Sequence, residues 1–110
     1  MIHAADAPTR PALRYYGGKW NIAPWIVGYF PSHRAYLEPC MGAASVFLQK
    51  TPCDVEILND ANGRVTNFFR QLRDNAAEFI RRIDLTPWSE DEYQLCKEPS
   101  DDPVEDARRL

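Results

Sequence analysis

The 110-residue chain has no CxxC pair, and neither His3 nor His33 stands at a zinc-ligand spacing from Cys40, Cys53 or Cys96. That excludes the usual structural zinc sites and a disulfide framework, and an odd, scattered count fits reduced, buried thiols. No apolar run approaches the roughly 18 residues needed to span a membrane. The N-terminal stretch MIHAADAPTRPAL lacks the basic start and apolar core of a signal peptide. The expectation is a cytoplasmic protein with no membrane and no metal. Glycine is scarce, at five residues, and no G-x-G-x-x-G occurs, which weighs against a dinucleotide turn. Base is also in deficit: the net charge is −3 and the pI about 5.3, a poor balance for strong nonspecific nucleic-acid binding. The deficit is uneven. Up to Cys53 there are five bases against two acids, a balance of +3, which leaves −6 for the remainder.

What is present suits one globular domain with a single core. Hydrophobic residues make up 45% and charged residues 26%, the proportions of a folded rather than a disordered chain. Residues 1–12, with Pro8 and Pro11 and no apolar period, read as a loose leader. Asn21 can cap a helix whose apolar positions Ile22, Trp25, Ile26, Tyr29 and Phe30 form one face, with Pro24 tolerated in the first turn. Ala35-Tyr36-Leu37 reads as a short strand ending at Glu38-Pro39, residues 43–49 as a helix, and residues 54–58 as a second strand ending at Asn59-Asp60. Strand, helix and strand at this spacing predict a βαβ unit with parallel strands.

The rest reads as helical: residues 61–73, with Val65, Phe68, Phe69 and Leu72 on one stripe; residues 76–83; a third helix behind a Ser89/Glu92 capping box; and a fourth from Asp102-Pro103. The expected organisation is a leader at 1–12, a βαβ portion at 13–62 and a helical segment at 63–110. Two strands fall short of the roughly four to six of a typical sheet. The reading is α/β, with an incomplete sheet and the look of the first part of a larger domain.

The chemistry concentrates at the two strand ends. In an open parallel sheet, ligands bind beyond the carboxyl ends of the strands, where Glu38 and Asp60 stand. Either acid alone could equally be a helix cap or solvated. Together they say more. Gly42, Ala43, Ala44 and Ser45 keep the first turn small, and Asp60 follows Gly42 by 18 residues, close to the spacing of an acid that accepts from a ribose diol. Glu38 before that turn would repel a pyrophosphate. A ribose-containing cofactor with a cationic group fits better, and S-adenosylmethionine is one.

Three stretches, RYYGGKWNIAPWI, YLEPCMGAASVFL and ILNDANGRVTNFFRQLR, resemble the first three blocks of the Dam-type DNA N6-adenine methyltransferases, in the family's order and spacing. The resemblance runs from about Arg14 to Arg73 and more loosely to Pro99. It implies a partial Rossmann-like methyltransferase fold, S-adenosylmethionine as cofactor, and methyl transfer to an adenine flipped out of duplex DNA. It also implies roles at matching positions. Tyr15 and Lys19 match cofactor contacts of the first block; Glu38, Pro39 and Gly42 match the cofactor turn; Asp60 matches the ribose acid. Ala43 and Ala44 sit where members often carry another glycine, and Cys40 where many carry phenylalanine, so Cys40 is expected to pack. Asn62 reads as a helix-start or turn residue rather than a ligand, and Phe68, Phe69 and Leu72 as core.

Arg14 and Arg34 are candidate DNA-phosphate contacts. The resemblance also implies that the helical segment is the start of an insertion leading into the DNA-recognition region. The family's Asp/Asn-Pro-Pro-Tyr/Phe block, which holds the target adenine, does not occur; Asp102-Pro103-Val104 is the nearest approach and lacks the second proline and the aromatic. Methyl transfer by these residues alone is therefore not expected, and their partners would be duplex DNA in a full-length enzyme and the chain's own missing C-terminal portion. The alternative reading is a truncated, non-catalytic module that retains cofactor or partner affinity.

Overall fold

A computed structural model describes residues 7–110. The first half of the expected leader lies outside the described residues, and residues 7–12 form neither helix nor strand. The chain divides into two compact units, the first ending at Ala61 and the second running from Asn62 to Leu110.

The first unit is built on two strands. β1 (Ala35–Glu38) and β2 (Val55–Leu58) pair in parallel, with Ala35 opposite Val55 and Glu38 opposite Leu58. Helix α1 (Ala23–Val27) precedes β1, and α2 (Ser45–Gln49) connects the two strands. The expected strand–helix–strand unit is present. Alternation along the strands gives the sheet two unlike faces. Tyr36, Glu38, Glu56 and Leu58 are half-buried, whereas Leu37, Val55 and Ile57 are exposed. On the covered face Lys50, at the end of α2, is buried, ion-paired with Glu56 and seated 4.6 Å over the Tyr36 ring. Burial pushes the Glu56 carboxyl up. The hydrogen bonds from Lys50 and from the Cys53 N–H outweigh that and hold it below the ordinary carboxylate range.

Both short helices differ from the sequence reading. The first is shorter than its apolar stripe and is not capped by Asn21: Ile22 occupies the cap with no side-chain bond. The N–H groups of Ile22 and Ala23 instead donate to the Lys19 carbonyl, 3.2 and 2.8 Å away, so a backbone turn supplies the cap. The stripe then splits. Ala23 is fully buried, while Ile22, Trp25 and Tyr29 are exposed, Trp25 and Tyr29 packing edge to face with ring centroids 4.9 Å apart. The second helix starts at Ser45 rather than residue 43, because Ala44 takes a left-handed conformation (φ 51°) and blocks helical winding before it.

The second unit consists of α3 (Gly63–Asp74), α4 (Ala76–Asp84), α5 (Glu90–Cys96) and α6 (Pro103–Arg109). Its core is Val65, Phe68, Phe79 and Ala107, with the Phe68 ring set edge-on to Phe79 at 5.3 Å. The expected starts at Ser89 and at Asp102-Pro103 hold, whereas α3 begins at Gly63, two residues later than the expected 61. Asn62 caps α3 by accepting from the Arg64 N–H, Ser89 caps α5 by accepting from the Glu92 N–H, and Asp102 caps α6 ahead of Pro103.

Ion pairs lace α6 to its neighbours. Arg108, with its side chain only 8% exposed, bonds Glu105 and Glu92 at 2.6 Å each, and Arg109 adds a bond to Glu105 at 2.9 Å. The hydrogen bond from Arg108 is the main force lowering the Glu105 carboxyl to about 2; burial opposes it and Arg109 assists. Because the folded value lies below the ordinary one of about 4.5, this stabilisation is complete above about pH 4.5 and is lost as the pH falls toward 2. Circular dichroism at 222 nm should therefore stay level from pH 7 to about 5 and decline below about 4.5. Glu105→Gln should lose stability at neutral pH and flatten that acid limb. An unchanged acid limb in Glu105→Gln would mean this network does not govern the acid response.

Candidate functional site

At the carboxyl ends of the strands the two connections are laced together. The Asn59 N–H donates to the Glu38 carbonyl (2.8 Å), the Met41 N–H to the Asn59 carbonyl (2.9 Å), and the Gly42 N–H to Asp60 Oδ2 (2.9 Å). The turn at residues 40–42 thus continues the ladder beyond the strands, and Asp60 fixes its last amide.

Glu38 is held as firmly. Its Oε1 accepts from the Tyr36 hydroxyl at 2.6 Å and from the Phe47 N–H, in the first turn of α2, at 2.8 Å. Burial, followed by the hydrogen bond to Glu38, pushes the Tyr36 phenol well above its usual range, so it remains a donor. The carboxylate that ends β1 therefore neutralises a helix-start amide that a phosphate would otherwise seek.

The turn before α1 completes the enclosure. Gly18 N–H donates to the Tyr15 carbonyl at 2.9 Å, and Gly17 takes the positive φ of 77° that this tight turn requires. Lys19 Nζ folds back to the Gly17 carbonyl at 3.1 Å. The Tyr15 ring lies against Gly42, itself at φ 49°, so closely that a β-carbon there would come within 3.1 Å of the ring. The sequence suggests that the small turn admits a ligand to the backbone. At Gly42 the group in close approach is Tyr15.

These elements enclose a cleft of about 430 Å3, within the usual range for small-molecule and cofactor sites. Tyr15, Lys19, Glu38, Gly42 and Asp60, five of the six residues expected at a cofactor, line it together. Pro39 does not. Its carbonyl accepts from the Asn59 side-chain amide at 3.4 Å, outside the lining. Cys40 is exposed and lines the cleft rather than packing, and Cys53 and Cys96 are only half-buried, so the expectation of buried thiols fails.

The two candidate DNA contacts separate. Arg14 is exposed beside Tyr15. Arg34 stands at the other end of the strands, before β1, ion-paired with Asp54 at 2.8 Å, which removes it from the cleft. Among the described residues no cluster of three or more His, Cys, Asp or Glu could hold a metal, and no helix is long and apolar enough to cross a membrane.

Sequence reasoning missed Tyr36 and Ser45, both of which line the cleft. Tyr36 was available from strand alternation, since it shares a face with Glu38 two residues on. Ser45 carried no signal beyond its small size.

Residues 15–106 match the family described as D12 class N6 adenine-specific DNA methyltransferase. A DNA adenine methylase of Serratia marcescens is 30% identical over 104 residues, covering 91% of this chain and 38% of the relative. The type II methyltransferase M1.LlaDCHI of Lactococcus lactis subsp. cremoris is 31% identical over 75 residues, covering 67% and 26%. A DNA adenine methylase of Vibrio cholerae is 34% identical over 71 residues, covering 64% and 25%. The chain spans between about a quarter and two fifths of the length of these curated relatives.

Proposed function

The chain belongs to the D12 class N6 adenine-specific DNA methyltransferase family, and from that membership we propose that its strand-end cleft is the S-adenosylmethionine half-site of an enzyme that methylates adenine in duplex DNA. The observation that carries this reading is the convergence on one cleft of Tyr15, Lys19, Glu38, Gly42 and Asp60, drawn from three separate stretches of sequence. In this reading the first unit is the opening portion of a Rossmann-like methyltransferase domain. The helical unit begins the region that meets DNA.

The donor set fits the cofactor. Asp60, anchored by the Gly42 N–H at a strand end, is the acceptor for the ribose hydroxyls. Glu38 brings negative charge to the turn and satisfies the Phe47 N–H itself, so the site favours a cationic group over a phosphate. Tyr15 supplies an apolar wall and Lys19 a donor at the rim. When bound, S-adenosylmethionine supplies a methyl group activated by a sulfonium. These residues bind and orient it; the adenine must be held by the Asp-Pro-Pro-Tyr type of block, which these 110 residues do not contain. Arg14, beside Tyr15, is the basic side chain we assign to a DNA phosphate. Arg34 lies at the other end of the strands, where its Nε pairs with Asp54.

Calorimetric titration of the chain with S-adenosylmethionine and with ATP tests the reading. The expected result is one-to-one binding of S-adenosylmethionine and at least tenfold weaker binding of ATP, whose phosphates meet the Glu38 carboxylate. Preference for ATP would overturn the assignment.

A further inference from the structure

The helical unit carries a second cleft, of about 330 Å3, bounded by the end of α4, by α5 and by the segment that joins them. Ile83, Pro87, Trp88, Tyr93 and Cys96 line it; Ile83 and Tyr93 are exposed and Trp88 is fully so. Its polar groups are already engaged. Ser89 caps α5, the Thr86 hydroxyl donates to the Arg82 carbonyl at 2.8 Å, and Arg108 is held by Glu92 and Glu105. What remains for a partner is apolar and aromatic surface, and exposed surface of that kind gathered in one place marks an interaction site.

The rim decides what kind of partner fits. Residues 83–96 contain four acids, Asp84, Glu90, Asp91 and Glu92, and no base. Glu92 is paired with Arg108 at 2.6 Å, whereas Asp84, Glu90 and Asp91 have no ion pair among the described residues. Lys97 comes next and lies over the Tyr93 ring at 4.4 Å, so three unpaired acids stand against one base. A phosphate backbone binds where lysine and arginine neutralise it. This rim would repel one.

We propose that this cleft docks a protein segment in which a large apolar side chain is flanked by lysine or arginine. The apolar side chain seats among Ile83, Trp88 and Tyr93, and the basic ones meet Asp84, Glu90 and Asp91. Tryptophan and tyrosine are the side chains from which an interface draws most of its energy. The unpaired carboxylates select the sign of the partner and speed its approach. The proposal is independent of the cofactor reading. It gives this face of the helical unit to a protein and leaves contact with DNA to other surfaces.

Fluorescence anisotropy with the 110-residue chain tests it. The labelled probe is a short peptide of leucine and lysine; the comparisons are peptides of leucine and glutamate and of lysine alone, and a DNA duplex. The leucine–lysine peptide should bind at least about tenfold more tightly than either other peptide. Trp88→Ala, at a fully exposed position where the fold does not depend on it, should weaken that binding about tenfold. A variant combining Asp84→Asn, Glu90→Gln and Asp91→Asn should also weaken it and flatten its salt dependence. Ile57→Thr, on the exposed strand face of the other unit, should leave it unchanged.

No binding of the leucine–lysine peptide, or binding that Trp88→Ala or the charge-neutral variant leaves intact, would overturn the proposal. Equal binding of the lysine peptide would reduce the site to an acidic patch, and equal binding of the leucine–glutamate peptide would remove the selection by charge. Either result overturns it. Weakening by Ile57→Thr would move the peptide to the strand face, and displacement of the peptide by duplex DNA would give the cleft to DNA instead.

Discussion

Asp60→Ala is expected to weaken S-adenosylmethionine binding by about 1.5–3 kcal/mol, roughly ten- to a hundredfold, the usual worth of hydrogen bonds to a charged acceptor. In the proposed reading the position carries two duties. One carboxylate oxygen holds the Gly42 N–H at 2.9 Å and so fixes the turn against which Tyr15 packs. The carboxylate also stands at the end of β2, where a ribose diol would meet it. Asp60→Asn separates the duties: its amide oxygen can still accept from Gly42, but the negative charge is gone. The asparagine variant should therefore keep its fold and lose part of the affinity, while the alanine variant loses more. Titration calorimetry on both, with circular dichroism to confirm folding, gives the comparison. Unchanged affinity in a folded Asp60→Ala would remove Asp60 from the site.

The frame of this site was legible because it depends on local rules. Alternation and β-branching pointed to a strand over 54–58, found as Val55–Leu58, after a short one over 35–37, found as Ala35–Glu38, and the parallel pairing followed from the intervening helix. Asn62, Ser89 and Asp102 were legible for the same reason, since an N-cap acts within three residues of itself. What escaped depends on contacts between residues distant in sequence or on conformations that a residue type does not announce. Nothing in the word "GAAS" says that Ala44, an alanine, adopts the left-handed geometry that delays α2 until Ser45.

Nor does spacing reveal that Glu38 would be claimed by the Phe47 N–H nine residues on. The question whether Glu38 is a cap or a ligand-facing acid therefore has a double answer. It satisfies a helix-start amide, and it does so while lining the cleft. Arg34 shows the converse. Its basic character was plain, but its position before β1 and its pairing with Asp54 depend on the register of the two strands.

The 110-residue chain is expected to transfer no methyl group from S-adenosylmethionine to unmethylated duplex DNA above a no-enzyme control. Adenine's exocyclic amine is a weak nucleophile, and holding it in line with the methyl–sulfur bond supplies most of the rate. The nearest sequence to a positioning block, Asp102-Pro103-Val104, is committed elsewhere: the Asp102 carboxylate accepts from the Val104 and Glu105 N–H groups and pairs with Arg82 at 2.7 Å. A residue spent on capping α6 and holding α4 cannot also grip an adenine.

The sheet points the same way. Parallel sheets are normally covered on both faces, yet Leu37, Val55 and Ile57 are 58%, 50% and 53% exposed. The chain should accordingly bind a hydrophobic dye and melt over a broad range, and Ile57→Thr should reduce dye binding without altering cofactor affinity. Tritium transfer assays and dye titrations read the two halves separately. Robust methylation by these 110 residues would require an adenine pocket formed without the missing block, and sharp, dye-silent melting would mean that the exposed strand face is covered in solution.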